Sequence, residues 1–145
     1  SMALKFKKLK KDRKVEPGLA DAIRARLKEG RFDCAAAFML AKEEGITPLA
    51  AGKAADSLGI HLNHCQLGLF GFPGHTKAWE GPRWKEADIP EGVEAAVHSA
   101  LGPDGSLSCA AAWTVADRFD VGRTQLGFLA SRLKIKIKRC QLGAF

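Results

Sequence analysis

Four cysteines fall into two pairs, Cys34 with Cys65 and Cys109 with Cys140, each separated by 31 residues. Cys34 and Cys109 stand at the starts of expected helices, where the unsatisfied N–H groups favour a thiolate. If the members of a pair meet, each pair could form a disulfide or respond to oxidants. The plainer reading is packing, because free cysteine is a small, usually buried residue suited to tight helical cores. His61, His64 and Cys65 together with Cys34 would make a four-ligand zinc set. Lys136 and Arg139 stand at the corresponding points of the second half, however. The Cys–Cys spacing is also not a zinc pattern, so no metal and no other cofactor is assigned. His75 and His98 have no partners that the sequence identifies. There is no phosphate-cradling glycine loop, no acid pair, no nucleophile–base set and no tyrosine. The chain does not read as an enzyme.

The second chemistry is cationic. Residues 5 to 14 hold Lys5, Lys7, Lys8, Lys10, Lys11, Arg13 and Lys14 against Asp12 alone, which is +6 of the net +7. Arg132, Lys134, Lys136, Lys138 and Arg139 form a second cluster near the end. The body is otherwise close to neutral. A basic arm and one basic edge suit phosphate contact with nucleic acid. They equally suit a solubilising tail and a charged edge that discourages strand pairing.

The elements that must carry these residues occur twice. Cys34-Ala-Ala-Ala returns as Cys109-Ala-Ala-Ala and Cys65-Gln-Leu-Gly as Cys140-Gln-Leu-Gly, both 75 residues later. At that offset 15 of the 41 positions from Gly30 to Phe70 are identical, too many for chance, so one unit has been duplicated. The chain divides into a basic arm at 1–15, a first repeat at 16–70, a Gly/Pro/Trp linker at 71–89 and a second repeat at 90–145. Trp79 and Trp84 suggest that the linker lies across a repeat. Units this small bury little surface alone and need to pack on each other or on a second chain.

Within the first repeat Pro17 opens a helix of apolar spacing that ends at Gly30. Asp33 caps a second helix from Cys34 that Gly45 stops. Thr47 caps a third from Pro48 to about Leu58. The second repeat follows the same plan. Pro90 opens its first helix, Ser108 caps the helix of Cys109 to Phe119, and the third runs from about Arg123 to Leu133. The alternation Ile60-His61-Leu62-Asn63, stricter in Lys134-Ile135-Lys136-Ile137-Lys138, predicts a short strand after each third helix.

Leu40-Ala41, Gly45-Ile46, Ala51 and Ala54 fit a close crossing of two helices around a tight turn, as do Val115-Ala116, Asp120-Val121, Leu126 and Leu129. Through these residues the chain resembles the helix-turn-helix and winged-helix DNA-binding regulators of bacteria and archaea, over about 25 residues in each copy. The resemblance implies a mainly α fold of two tandem tri-helical helix-turn-helix repeats, each followed by a short strand or wing. It implies that the third helix of each enters a major groove. The groove-facing positions would be Thr47, Pro48, Leu49, Gly52, Lys53 and Asp56, and Gly122, Arg123, Thr124, Gly127, Phe128 and Ser131.

Base contact is then expected from Arg123, Thr124 and the neighbouring Gln125, whose side chains suit base edges. Phosphate contact is expected from Lys5, Lys7, Lys8, Lys10, Lys11, Lys53, Lys134, Lys136, Lys138 and Arg139. The leading expectation is a transcriptional regulator of double-stranded DNA, acting as an intrachain pseudo-dimer with possible further self-association. The alternative is a protein-interaction or self-association scaffold, and a third is a thiol-based redox sensor. Four cysteines without an export signal lead to the expectation of a reducing cytoplasm, and no membrane partner is expected, since no apolar run approaches the roughly 20 residues of a spanning helix.

Overall fold

The computed structural model describes residues 15–72, 74, 77–80 and 89–145. Lys5, Lys7, Lys8, Lys10 and Lys11, and with them nearly all of the basic arm, lie outside the described residues, as do His75 and Trp84. The structure is mainly helical. It divides into two compact units. One contains the described residues up to Cys65 together with Gln141–Phe145, and the other is Gln66–Cys140. The last five residues of each sequence repeat therefore belong to the unit built by the other repeat.

In the first unit, α1 (Pro17–Arg24) has proline at its first position, where the missing N–H costs nothing, and buries Ala20 and Ile23. It stops well short of Gly30. The chain instead reverses through Glu29 and Gly30, at φ of 52° and 77°. Lys28 and Arg31 exchange backbone bonds of 2.8 and 2.9 Å across that turn. β1 (Phe32–Asp33) leads into α2 (Cys34–Glu44), which ends at left-handed Gly45. Asp33 does not cap α2, because its carboxylate takes Asn63 and His64 as partners. α3 (Pro48–Ser57) is capped by the Thr47 hydroxyl, which accepts from the Ala50 N–H. β2 (Leu62–Asn63) pairs with β1 in parallel, Phe32 opposite Leu62.

In the second unit, α4 (Val93–Ser99) begins three residues after Pro90, behind Gly92 at φ 91°. β3 (Leu107–Ser108) precedes α5 (Cys109–Arg118), where Ser108 accepts from the Ala111 N–H. Asp120 takes the left-handed turn position at φ 53°. It is followed by α6 (Arg123–Arg132) and β4 (Ile137–Lys138), which pairs in parallel with β3.

The strand expected after each third helix is thus only two residues long, and its partner is the chain entering the second helix. A wing is an antiparallel hairpin, and neither unit forms one at this point. Left-handed Lys134 (φ 58°) and Arg139 (φ 57°) bracket the second segment and confine the strand to its last two residues.

Each core is made by the small and branched residues of these helices. Ile23, Phe32, Ala37, Leu40 and Ala51 are sealed in the first unit, and Val93, Val97, Leu107, Leu126 and Leu67 in the second. Leu67 is among the most completely buried side chains of the chain. Burial of this kind stabilises by about 1.5–3 kcal/mol per side chain, so the five-residue tails are structural members of the cores they enter.

Candidate interaction site on the third helix of each unit

The residues that shape each helical pair are buried at their crossing. Ala41 and Ala116 lie between the helices, and Ala51, Ala54, Leu126 and Leu129 turn inward from the third helix of their unit. The Ile46 N–H bonds the Ala41 carbonyl and the Val121 N–H bonds that of Ala116, both at 2.9 Å, closing the two turns alike.

The outer face of each third helix is covered at its glycine, while Thr47, Leu49, Lys53, Gly122 and Ser131 stay exposed. At Gly52 a Cβ would lie well inside the van der Waals contact distance of the Leu142 carbonyl oxygen and 2.7 Å from its carbonyl carbon. At Gly127 it would lie equally close to the Leu67 carbonyl oxygen and 2.9 Å from that carbon. The two glycines are equivalent in the repeat, and so are the two leucines. In both units the missing side chain lets the backbone of a Gln-Leu-Gly segment lie directly against the helix. The glycine of each segment, Gly68 at φ 80° and Gly143 at φ 81°, turns the chain in a conformation that L side chains rarely adopt. Gly52 and Gly127 are therefore buried under a tail, at positions where the helix-turn-helix resemblance expects contact with DNA.

The three residues expected at base edges are engaged inside the second unit. Arg123 donates from Nη1 to Gln66 Oε1 at 2.9 Å. It also donates from Nε and Nη2 to the two carboxylate oxygens of Asp117 at 3.2 and 2.9 Å. Its guanidinium lies 3.7 Å from the centroid of the Trp113 ring, a cation–π arrangement. Thr124 Oγ1 donates to the Gln66 carbonyl at 3.1 Å. Gln125 Oε1 accepts from the Gly122 N–H at the start of α6. Arg123 and Thr124 thus form a polar clamp on the first residue of the tail. The Arg123 guanidinium also holds the Asp117 carboxyl below its ordinary range. Gln66, Trp113 and Asp117 complete this clamp; Gln66 stands out in the sequence only as part of the repeated Cys-Gln-Leu-Gly motif, and Trp113 and Asp117 carry no signal in spacing or composition. The linker adds a wall: the short 3-10 turn Ala78–Glu80 sets Trp79 edge-on to Phe128, centroids 6.1 Å apart, and its Ala78 N–H bonds the Gly68 carbonyl.

In the first unit the positions equivalent to Arg123 and Thr124 are Pro48 and Leu49, which have no side-chain donors. Leu49 Cδ1 instead lies against Gly143, 2.9 Å from where a Cβ would be. The same tail motif is received by an apolar lip on α3 and by a cationic clamp on α6.

The expected phosphate contacts have different fates. Lys53, Lys134, Lys136 and Arg139 are exposed, and none of them makes an ion pair among the described residues. Lys138 donates to Asp104 at 3.1 Å. Asp104 also accepts from the Ser106 hydroxyl at 2.7 Å and from its N–H at 3.1 Å. These bonds, those from Ser106 foremost, hold the Asp104 carboxyl well below its ordinary 3.8. A carboxyl depressed by folding adds stability above its unfolded value, and that stability is lost as the pH falls below about 4. A carboxyl-carbon NMR titration is expected to find Asp104 still ionised at about pH 3, where an unperturbed Asp is mostly protonated. Ser106→Ala should move its midpoint upward.

Cys34, Cys65 and Cys109 are buried, Cys140 is half-buried, and none of the four is in a disulfide. His64 Nδ1 lies 3.1 Å from Asp33 Oδ1. Among the described residues no group of three or more His, Cys, Asp or Glu side chains could hold a metal ion. No described helix is long and apolar enough to cross a membrane. Compared with known proteins, the chain matches no family model, no curated protein and no solved structure.

Proposed function

We propose that the chain is a protein-interaction scaffold made of two tandem tri-helical units, whose third helices serve as docking surfaces for a Gln-Leu-Gly segment. The single observation that carries this reading is the pair Gly52 and Gly127. In both units a backbone carbonyl occupies the space of the missing side chain, on the helix face that a DNA reader would have to present. In this reading the helix-turn-helix resemblance concerns the crossing of the helical pairs, and the outer face has been given over to protein. Arg123 and Thr124 then recognise a glutamine and a carbonyl instead of a base.

Binding of duplex DNA stands as a second reading, favoured by Lys53, Lys134, Lys136 and Arg139, which are exposed and make no ion pair among the described residues. Under the scaffold reading any such binding is a phosphate contact, strong at low salt and indifferent to base sequence. A mobility assay of the full chain on random and on selected duplexes distinguishes the two. The expected result is weak retention at ~50 mM salt that disappears by ~200 mM. Lys134→Ala with Lys136→Ala should reduce it, and Arg123→Ala should leave it unchanged. Tight binding to one selected sequence, lost on Arg123→Ala, would overturn the scaffold reading in favour of a regulator.

A further inference from the structure

We infer that a hollow beside the β3–β4 pair of the second unit binds a carboxylate carried by a molecule other than this chain. The hollow measures about 200 Å3, and its lining includes Gly102, Asp104, Ser106, Ser108, Lys138 and Arg139. That is below the roughly 300–1,000 Å3 of sites for drug-sized ligands, so it admits a small group. None of these residues belongs to α6 or to the tail seated on it, and the site is independent of the docking role.

In the first unit the equivalent place holds a carboxylate. Asp33 pairs in register with Asn63, as Ser108 does with Lys138. The Asp33 carboxylate accepts from Asn63 Nδ2 at 3.3 Å, and lies 3.1 Å from His64 Nδ1 and 3.7 Å from Lys28 Nζ. In the second repeat Ser108 stands for Asp33, Lys138 for Asn63 and Arg139 for His64. His64 and Arg139 share the left-handed backbone, at φ of 44° and 57°. The second unit thus keeps the places of the two partners, makes both cationic, and has a serine where the strand carried the acid. Asp104 does not serve Arg139, because its Oδ1 accepts twice from Ser106 and its Oδ2 accepts from Lys138. Arg139 is exposed and makes no hydrogen bond or ion pair among the described residues. Two cations against one carboxylate leave one positive charge, which a single further carboxylate neutralises. The planar fork of Arg139 suits its two oxygens. Ser108 Oγ accepts from the Ala111 N–H at 3.0 Å, which leaves its own hydrogen to donate.

Titration of the full chain with acetate, at ionic strength held constant with sodium chloride, tests the site. The Arg139 Nε–H and the Ser108 and Lys138 amides are followed by 15N NMR. A saturable shift is expected, half complete on the order of 10 mM, because a ligand of so few atoms has little binding energy to gain. Ser108→Asp puts the carboxylate of the first unit back on the strand, and aspartate caps a helix as well as serine does. It is expected to move the Arg139 signal without acetate and to weaken acetate binding by about ten-fold or more, since an internal carboxylate competes at high effective concentration. Arg139→Asn, which tolerates the left-handed turn, is expected to abolish the acetate response at Ser108, and it decides the matter if Ser108→Asp does not fold. An unsaturated drift in the wild type overturns the inference, and so does a folded variant of either kind that responds as the wild type does. Inorganic phosphate that saturates the site well below the acetate concentration also overturns it and assigns Arg139 to phosphate contact. A blocked tripeptide with a central glutamate separates the two sources of a carboxylate. Binding tighter than acetate assigns it to an acidic side chain of a partner protein, and binding no tighter assigns it to a free small acid.

Discussion

Gly127→Ala destabilises the second unit and Gly52→Ala the first, each by about 1–3 kcal/mol, the usual cost of overpacking a tight contact. The sign is opposite to that of most such changes. Alanine in place of a helical glycine normally stabilises, by roughly 0.5–1 kcal/mol, because the unfolded chain loses freedom and nothing in the helix is disturbed. Here the new methyl would overlap the Leu67 or Leu142 carbonyl, which is backbone and cannot rotate aside. The tail must lift, and the buried leucine beside that carbonyl lifts with it. At Gly127 the Trp79 ring, 3.2 Å from the added atom, blocks a small compensating shift. Gly18 in α1 is the internal control, since nothing lies within 4 Å of a Cβ there. Gly18→Ala should raise stability by the ordinary ~0.5–1 kcal/mol. Urea unfolding followed by circular dichroism measures all three. Hydrogen exchange at 66–70 and 141–145 tests the mechanism, because the tail amides should lose protection in the Gly127 and Gly52 variants respectively. Equal stabilisation at all three glycines would mean that the tails do not lie against the helices.

Phe32→Ala is expected to have the largest effect of any single truncation, about 3–5 kcal/mol. Phe32 is fully buried and heads the sealed side chains of the chain in volume. Its N–H bonds the His61 carbonyl at 3.0 Å, so the ring is held by the short β1–β2 pairing. Removing it leaves a cavity in a core whose other buried helical residues are largely alanines, which are too short to fill it. Total stabilities of 5–15 kcal/mol are usual for domains, and a unit of this size is expected near the lower end. The variant should therefore be largely unfolded at 37 °C. Met39→Ala on α2 provides the contrast. Met39 is 62% exposed, and its loss should change stability by no more than ~0.5 kcal/mol. A Phe32→Ala protein as stable as the Met39→Ala one would show that the first core is not organised around this ring.

Much of the local structure was legible because it depends on neighbours in the chain. Thr47 and Ser108 cap their helices as expected, since a hydroxyl three residues before an N–H needs no distant partner. Gly45 and Asp120 take the left-handed turns, which is a property of those residue types. Asp33 was misread as a cap for the opposite reason: Asn63 and His64, some 30 residues away, compete for its carboxylate and win. The short strand expected in 134–138 forms at Ile137–Lys138 alone, because alternation describes side-chain polarity and cannot reveal that Lys134 and Arg139 adopt positive φ. Arg123 had the right chemistry for a base edge. Its actual partners, Gln66, Asp117 and Trp113, come together only after the chain has folded.

The amino-acid sequence by itself determined a duplicated, mainly helical unit with its caps, turns and inward-facing small residues. Those choices follow from backbone propensity and a 3.6-residue period, both of which act within a few residues. Only the tertiary structure decided which core each Cys-Gln-Leu-Gly tail completes. Because the two tails carry the same motif and the two third helices carry equivalent glycines, nothing local distinguishes docking on one from docking on the other. The decision rests on closure over distance. Leu67 meets Gly127 and Leu142 meets Gly52, and backbone covers the helix face at those two glycines.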